Sequence, residues 1–169
     1  MPTVVAEALS SDAYAPYGDV ISAERADVAA KPANQGTAAR RDFLTDLRSL
    51  RPDAALNVCS FRCAPRLDWP LPLALLEKHP ASTQVFIPMN ARRYLAVVAL
   101  GGDAPDLSTL RAFVVTGATG VSYRPGVWHH PMIALDDHID FTCLVWEDGS
   151  ATDCTVRPLA DAGVVIALS

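Results

Sequence analysis

From residue 55 onward the chain breaks into short apolar segments separated by turn-forming clusters. "ALNVCSFRCA", "TQVFIPM", "RYLAVVAL", "LRAFVVTG", "VSYRPG", "MIAL" and "IDFTCLVWE" are rich in β-branched and aromatic residues, which pack well on a pleated surface. Between them stand "GGDAP", "TGATG", "RPG", "LDDH" and "EDGSATD", whose Gly, Pro, Asp and Ser residues favour turns. The pattern predicts an all-β fold, a double-sheet sandwich or barrel with a few short helices. One segment departs from it: "WPLPLALLEKHP" predicts a short helix beginning near Pro72 and stopped before Pro80. Ahead of the strands, "LSSDAYAPYGDVI" predicts a capped helix broken at Pro16-Tyr17-Gly18, followed by a strand. The polar stretch "SAERADVAAKPANQGTAARRD" predicts a loop at the rim of a site.

Composition narrows the class. The 169 residues fit a single domain, with residues 1–50 as helix, strand and loop packed on a β core over 54–169. No apolar run is long enough to span a bilayer, and "MPTVVAEALS" lacks the basic and apolar regions of a leader. A soluble, cytoplasmic protein is expected. The four cysteines, Cys59, Cys63, Cys143 and Cys154, form no CxxC pair and read as small apolar residues. A net charge of −5 without a basic run argues against nucleic acid. It also means that an anionic ligand must be captured by a few specific arginines.

The candidate chemistry gathers in "YRPGVWHHPM", Tyr123 to Met132, which holds two of the four histidines. Successive strand residues point to opposite faces, so His129 and His130 cannot both enter one cavity. Arg62 and Arg111 interrupt apolar strands. A guanidinium grips a carboxylate with two parallel hydrogen bonds, although either arginine could equally face solvent or form an internal ion pair. Gln84 opens a strand and either lines a cavity or caps a sheet edge. Asp140 is either paired in the interior or set to orient a histidine. His79, ahead of Pro80, sits where the expected helix ends and where a cation suits the helix dipole. There is no HxH, HExxH or zinc-spaced Cys/His cluster and no GxSxG elbow. General acid-base work by histidine or carboxylate on a small polar substrate remains.

"YRPGVWHHP" resembles the second conserved motif of the cupins, with His129 at that motif's histidine. More narrowly, "EKHPASTQVFIPM", "PDLSTLRAF", "WHHP", "IDFTCLV", the entry "AYAPYGDVI" and the loop "NQGTAARR" resemble the ureidoglycolate lyase family, from about Ala13 to Trp146. The resemblance implies a cupin-type β-sandwich or jelly-roll barrel, a homodimer, and cleavage of (S)-ureidoglycolate to glyoxylate and urea in allantoin and purine nitrogen catabolism. It implies His129 as proton-transfer residue supported by Asp140, with Arg62 or Arg111 on the substrate carboxylate. Gln84, Tyr123, Asn34 and Arg40 fall to the ureido end. His130 is expected on the opposite side of the strand with Trp128, unless a bulge reverses the two. The family is sometimes described with a divalent metal, nickel included. Here the metal candidates are His79, Gln84 and His129, with Gln84 in the place of the cupin glutamate. Two imidazoles and a neutral amide hold a divalent ion poorly, so proton transfer is the preferred role for His129. Family members often end the last long strand in an acid-arginine pair. This chain reads "CLVWEDG", so any such role moves to Glu147 or Asp148 or is lost. The alternatives are a metal-dependent cupin oxygenase or isomerase and a non-catalytic cupin that binds a small acid.

Overall fold

The structure is a computed structural model and describes residues 2–169. Each apolar segment of the second half contains a strand: Ala55–Cys63, Gln84–Pro88, Tyr94–Ala99, Arg111–Val115, Gly120–Tyr123, Ile133–Ala134 and Ile139–Glu147. They divide between two sheets. One is ordered Val20–Ile21, Gly120–Tyr123, Gln84–Pro88, Ile139–Glu147, Ala55–Cys63. The other runs Thr155–Pro158, Leu75–Lys78, Trp128–His129, Tyr94–Ala99, Arg111–Val115, Glu7–Ala8. A third, small sheet of Thr3–Val5, Val165–Ala167 and Leu71–Pro72 covers the outside of the second.

Alternation decides which side chains meet. Along Ile139–Glu147, Ile139, Phe141, Cys143 and Val145 enter the core between the two large sheets. There they join Tyr94, Phe86, Phe113 and Tyr123, with Phe141 edge-on to Tyr94 at 5.0 Å and to Phe86 at 5.8 Å. Full burial of one such ring stabilises by about 1.5–3 kcal/mol relative to exposure. Tyr94–Ala99 serves two cores. Ala96 and Val98 face inward, while Leu95, Val97 and Ala99 pack outward with Trp128, Leu73 and Ile166. Burial on both faces explains why "YLAVVA" is an unbroken apolar run.

The opening helix forms at Ser11–Tyr14, where the Ser10 hydroxyl accepts from the Ala13 N–H at 3.2 Å, and Val20–Ile21 follows as a strand. The polar stretch after it folds into an exposed hairpin of Lys31–Ala33 and Ala38–Arg40 around Asn34–Gly36. The helix expected from Pro72 is not there. "LPLALLEK" is instead two strands, Leu71–Pro72 and Leu75–Lys78. The close spacing of its leucines fits a helical period, but Leu71, Leu73 and Leu76 all enter the outer core from extended backbone. Leu75–Lys78 is further held by strand partners on both sides. Tertiary pairing overrides local propensity here. The consequence is chemical: on a strand, residues 77 and 79 share a face.

Candidate active site

The Pro125-Gly126 turn brings the two histidine segments together. Gly126 has φ 82°, a backbone conformation that glycine adopts without strain. Its N–H donates to the His79 carbonyl at 2.9 Å. The chain then enters Trp128–His129, with His129 opposite Glu77 on one side and Val98 on the other. Directly opposed residues share a face, so His129 and Glu77 point inward with Val98. Trp128 takes the outer core.

His129 is 1% exposed. Its Nδ1 lies 3.1 Å from the Val127 carbonyl, and its Nε2 is buried without a hydrogen-bond partner, 3.7 Å from Glu77 Oε1. His79 repeats the arrangement, with Nδ1 3.0 Å from the Asp153 carbonyl. In each ring a neutral imidazole gives its N–H to a backbone carbonyl and keeps a lone pair on Nε2. The two rings stack at 5.7 Å between centroids. Ligand atoms of Glu77, His79 and His129 all lie within 4.8 Å of one another. Tyr123 lies flat against His129 at 4.1 Å between ring centroids and directs its hydroxyl to Met132 Sδ at 3.3 Å.

Electrostatics favours the uncharged forms. Burial, reinforced by neighbouring His79, pushes the His129 pKa down to about 3. His79 is lowered by burial, partly offset by its bond to the Asp153 carbonyl. Burial raises the Glu77 carboxyl, and burial followed by Glu77 pushes Cys154 up to about 11, its Sγ lying 4.0 Å from Glu77 Oε2. A cation set among these groups would reverse each of these preferences. Gln84 is 4% exposed, donates to Cys143 Sγ at 3.6 Å and leaves Oε1 unpartnered. It stands opposite Tyr123 and so faces the same interior.

This donor set suits a divalent ion. Two neutral imidazole nitrogens and one carboxylate oxygen form a common transition-metal set. An ion between them would also satisfy His129 Nε2, a buried polar atom otherwise left unpaired. The missing carboxylate of the sequence reading is therefore present, supplied by Glu77 rather than by position 84. The helical reading of 72–79 concealed it; Glu-x-His on a strand was the available signal.

The other expected residues divide between the two faces of the sheets. Asp140 falls between inward-facing Ile139 and Phe141 and points out, where Arg62 grips it at 2.7 and 2.8 Å. The Arg62 side chain is 75% exposed. The two expected partners of histidine and substrate thus pair with each other on the outer face. Arg111 faces inward at the level of His129, both opposite Val98, but Glu7 at 2.7 Å and the Ala13 carbonyl at 3.1 Å already hold it. The Asn34 carbonyl accepts from Thr37, and Arg40 pairs with Asp42. No hydrogen bond or ion pair among the described residues joins either of them to the triad. His130 is half-buried, its Nδ1 2.7 Å from the Pro131 carbonyl, on the opposite side of the strand from His129. At the end of the last long strand Glu147 follows the inward parity of Val145 and accepts from Asn57 at 2.9 Å, and Asp148, just beyond the strand, pairs with Arg51 at 2.7 Å. A cavity of about 610 Å³ lies toward the other end of Tyr94–Ala99, beside Val115 and Thr119, and holds none of these groups.

A family model described as ureidoglycolate lyase matches residues 1–166. The chain belongs to the ureidoglycolate lyase family. Curated relatives include a ureidoglycolate lyase of Pseudomonas syringae pv. tomato, 40% identical over 91% of this chain and 88% of that protein. Another, from Escherichia coli SMS-3-5, is 40% identical over 90% of this chain and 92% of its own. A solved dTDP sugar isomerase from Desulfovibrio desulfuricans G20 is similar over 78% of this chain and 80% of that one, at 15% identity and a TM-score of 0.46. Within the ureidoglycolate lyase family frame, the inward-facing groups at this end of the chain's interior are the buried His79, Gln84, Tyr123 and His129 and the half-buried Glu77.

Proposed function

We propose that this chain cleaves (S)-ureidoglycolate to glyoxylate and urea at the interior end of the barrel lined by Glu77, His79 and His129. Family membership across residues 1–166 supports the reaction. The observation that carries the site is the buried, partnerless Nε2 of His129 facing Glu77. Membership of allantoin and purine nitrogen catabolism and a cytoplasmic setting go with that activity as part of the proposal.

The substrate carries a carboxylate, a hydroxyl and a ureido nitrogen on one carbon. Breaking the C–N bond removes the hydroxyl proton as the carbonyl forms and delivers a proton to the departing nitrogen. His129, held near pKa 3, is a poor proton carrier at neutral pH, so its role becomes that of a lone-pair donor beside His79. Glu77, His79 and His129 would hold a divalent ion, nickel being the one the resemblance implies. When bound, it supplies the positive charge that polarises a substrate oxygen and lowers a hydroxyl pKa. Gln84 Oε1 accepts from a ureido N–H. Tyr123 keeps the His129 ring in plane. Glu147, facing inward beyond Val145, is the carboxylate left to take the hydroxyl proton and return it to nitrogen. Arg111 is the arginine on the correct face for the substrate carboxylate.

The same two-histidine, one-carboxylate set also serves oxygen-activating iron sites, which keeps a metal-dependent oxygenase as the second reading. Incubating the purified protein with ureidoglycolate decides between them. Equal urea and glyoxylate without ammonia or oxygen uptake is expected. Stoichiometric ammonia, or turnover that consumes oxygen, would end the lyase reading. A homodimer belongs to the same proposal. The Ala55–Cys63 strand is an uncovered sheet edge with Val58 63% and Phe61 44% exposed, the kind of edge that natural proteins cover.

A further inference from the structure

The turn after the last long strand, Asp148 to Asp153, contributes no side chain to either apolar core; its residues are exposed or half-buried. Charge and hydrogen bonds hold it instead. Arg51 Nη1 donates to Asp148 Oδ2 at 2.7 Å and to Thr152 Oγ1 at 3.2 Å, and Arg51 Nη2 pairs with the Asp153 carboxylate. That carboxylate also accepts the N–H groups of Asp148 at 3.1 Å and Gly149 at 2.7 Å. The arginine is itself anchored beside the site. The Leu50 N–H donates to the Ala81 carbonyl at 2.7 Å, and Ser49 bridges Ser82. The inner edge of the turn is the Asp153 carbonyl, which takes the ring N–H of His79. Cys154, the next residue, touches Glu77.

We propose that Arg51 is a positioning residue for His79: by clasping Asp148 and Asp153 it fixes the carbonyl that sets the His79 ring with Nε2 toward Glu77. This rests on the reading of the triad given above. A guanidinium shared by two carboxylates, one of them bound again by two backbone amides, is a rigid device rather than a loose surface pair. Partners that hold the second nitrogen of a ligating histidine fix its tautomer and orientation. His129 is independent of the clasp, because its own N–H goes to Val127.

The test uses full-length protein freed of ions, with Arg51→Ala, Arg51→Lys and Asp153→Asn, and Arg62→Ala as a control for loss of a surface arginine. Nitrogen-15 NMR reads the imidazole tautomers, and calorimetric titration with zinc reads affinity without substrate. In Arg51→Ala the His79 signals should shift to mixed tautomers while those of His129 stay, and zinc should bind about ten- to a hundredfold more weakly. Arg51→Lys should recover part of both, and Arg62→Ala should match wild type. A His79 tautomer and zinc affinity unchanged in Arg51→Ala would overturn the proposal. Should that variant unfold, Asp153→Asn decides, since it removes the ion pair and keeps the carbonyl; wild-type behaviour there overturns the proposal equally. A wild type that takes up no zinc would defeat the ion reading of the triad, while the tautomers still decide the role of Arg51.

Discussion

If His129 is a buried lone-pair donor, the ion-free protein must lose stability in mild acid, and one substitution must remove most of that loss. The folded chain holds this imidazole near pKa 3, against 6.5 for the ordinary group. Below pH 6.5 the unfolded chain therefore takes up a proton that the folded chain refuses, so stability falls as pH falls toward 3. For these two values linkage gives a loss of about 2–3 kcal/mol between pH 7 and 4.5. His79 and His130 are lowered too and add in the same direction. Glu77 acts oppositely: its carboxyl, raised by burial, takes up a proton in the folded chain before the unfolded chain does as pH falls, so it offsets part of the loss from just above the ordinary carboxylate range downward. Comparing wild type with His129→Gln isolates the one ring. The substitution lowers stability at pH 7 by a roughly constant amount, and the gap between the two proteins should narrow by about 2–3 kcal/mol at pH 4.5. For a domain of this size that corresponds to about 5–10 °C in Tm. Thermal unfolding of chelator-treated protein at the two pH values measures it. Parallel curves would mean that His129 protonates normally inside the fold, which would restore it as a proton carrier and remove the reason for giving it a ligand's role.

Glu77→Gln keeps the shape of the side chain and removes the only carboxylate of the triad. Retained divalent ion should fall at least tenfold and kcat at least a hundredfold, with treatment of wild type by a chelator giving the same loss; metal analysis and urea release read the two effects. Arg62→Ala should leave KM within about twofold, because its partner Asp140 faces away from the barrel, whereas Arg111→Ala should raise KM several-fold with kcat less affected. Steady-state kinetics on the pair would go against the inward-facing assignment if Arg62 proved the sensitive position.

The limits of the sequence reading come from choosing a period. Where apolar residues alternated, as in "IDFTCLVWE", the strand and its inward face were both legible, and the same parity already sends Asp140 outward, between Ile139 and Phe141. Assigning Asp140 to a histidine ignored that signal in favour of a chemical expectation. Strand alternation admitted only one of the two adjacent imidazoles to the interior, and the cupin resemblance, not the alternation, pointed to His129. Glu77 was hidden by the leucines of "LPLALLEK", whose spacing satisfies a helix; on a helix residues 77 and 79 diverge by about 200°, and on a strand they coincide. No local pattern could reveal Arg51, because its partners lie about a hundred residues away at Asp148 and Asp153. The third member of the triad thus turned on whether eight residues had period 2 or 3.6. What settled the period was not their own composition but the two strands, Trp128–His129 and Thr155–Pro158, that pair with them from either side. A site assembled across a sheet is legible only as far as its pairing is, and the histidine that arrived by pairing also supplied the interior face on which Glu77 acquires a chemical role.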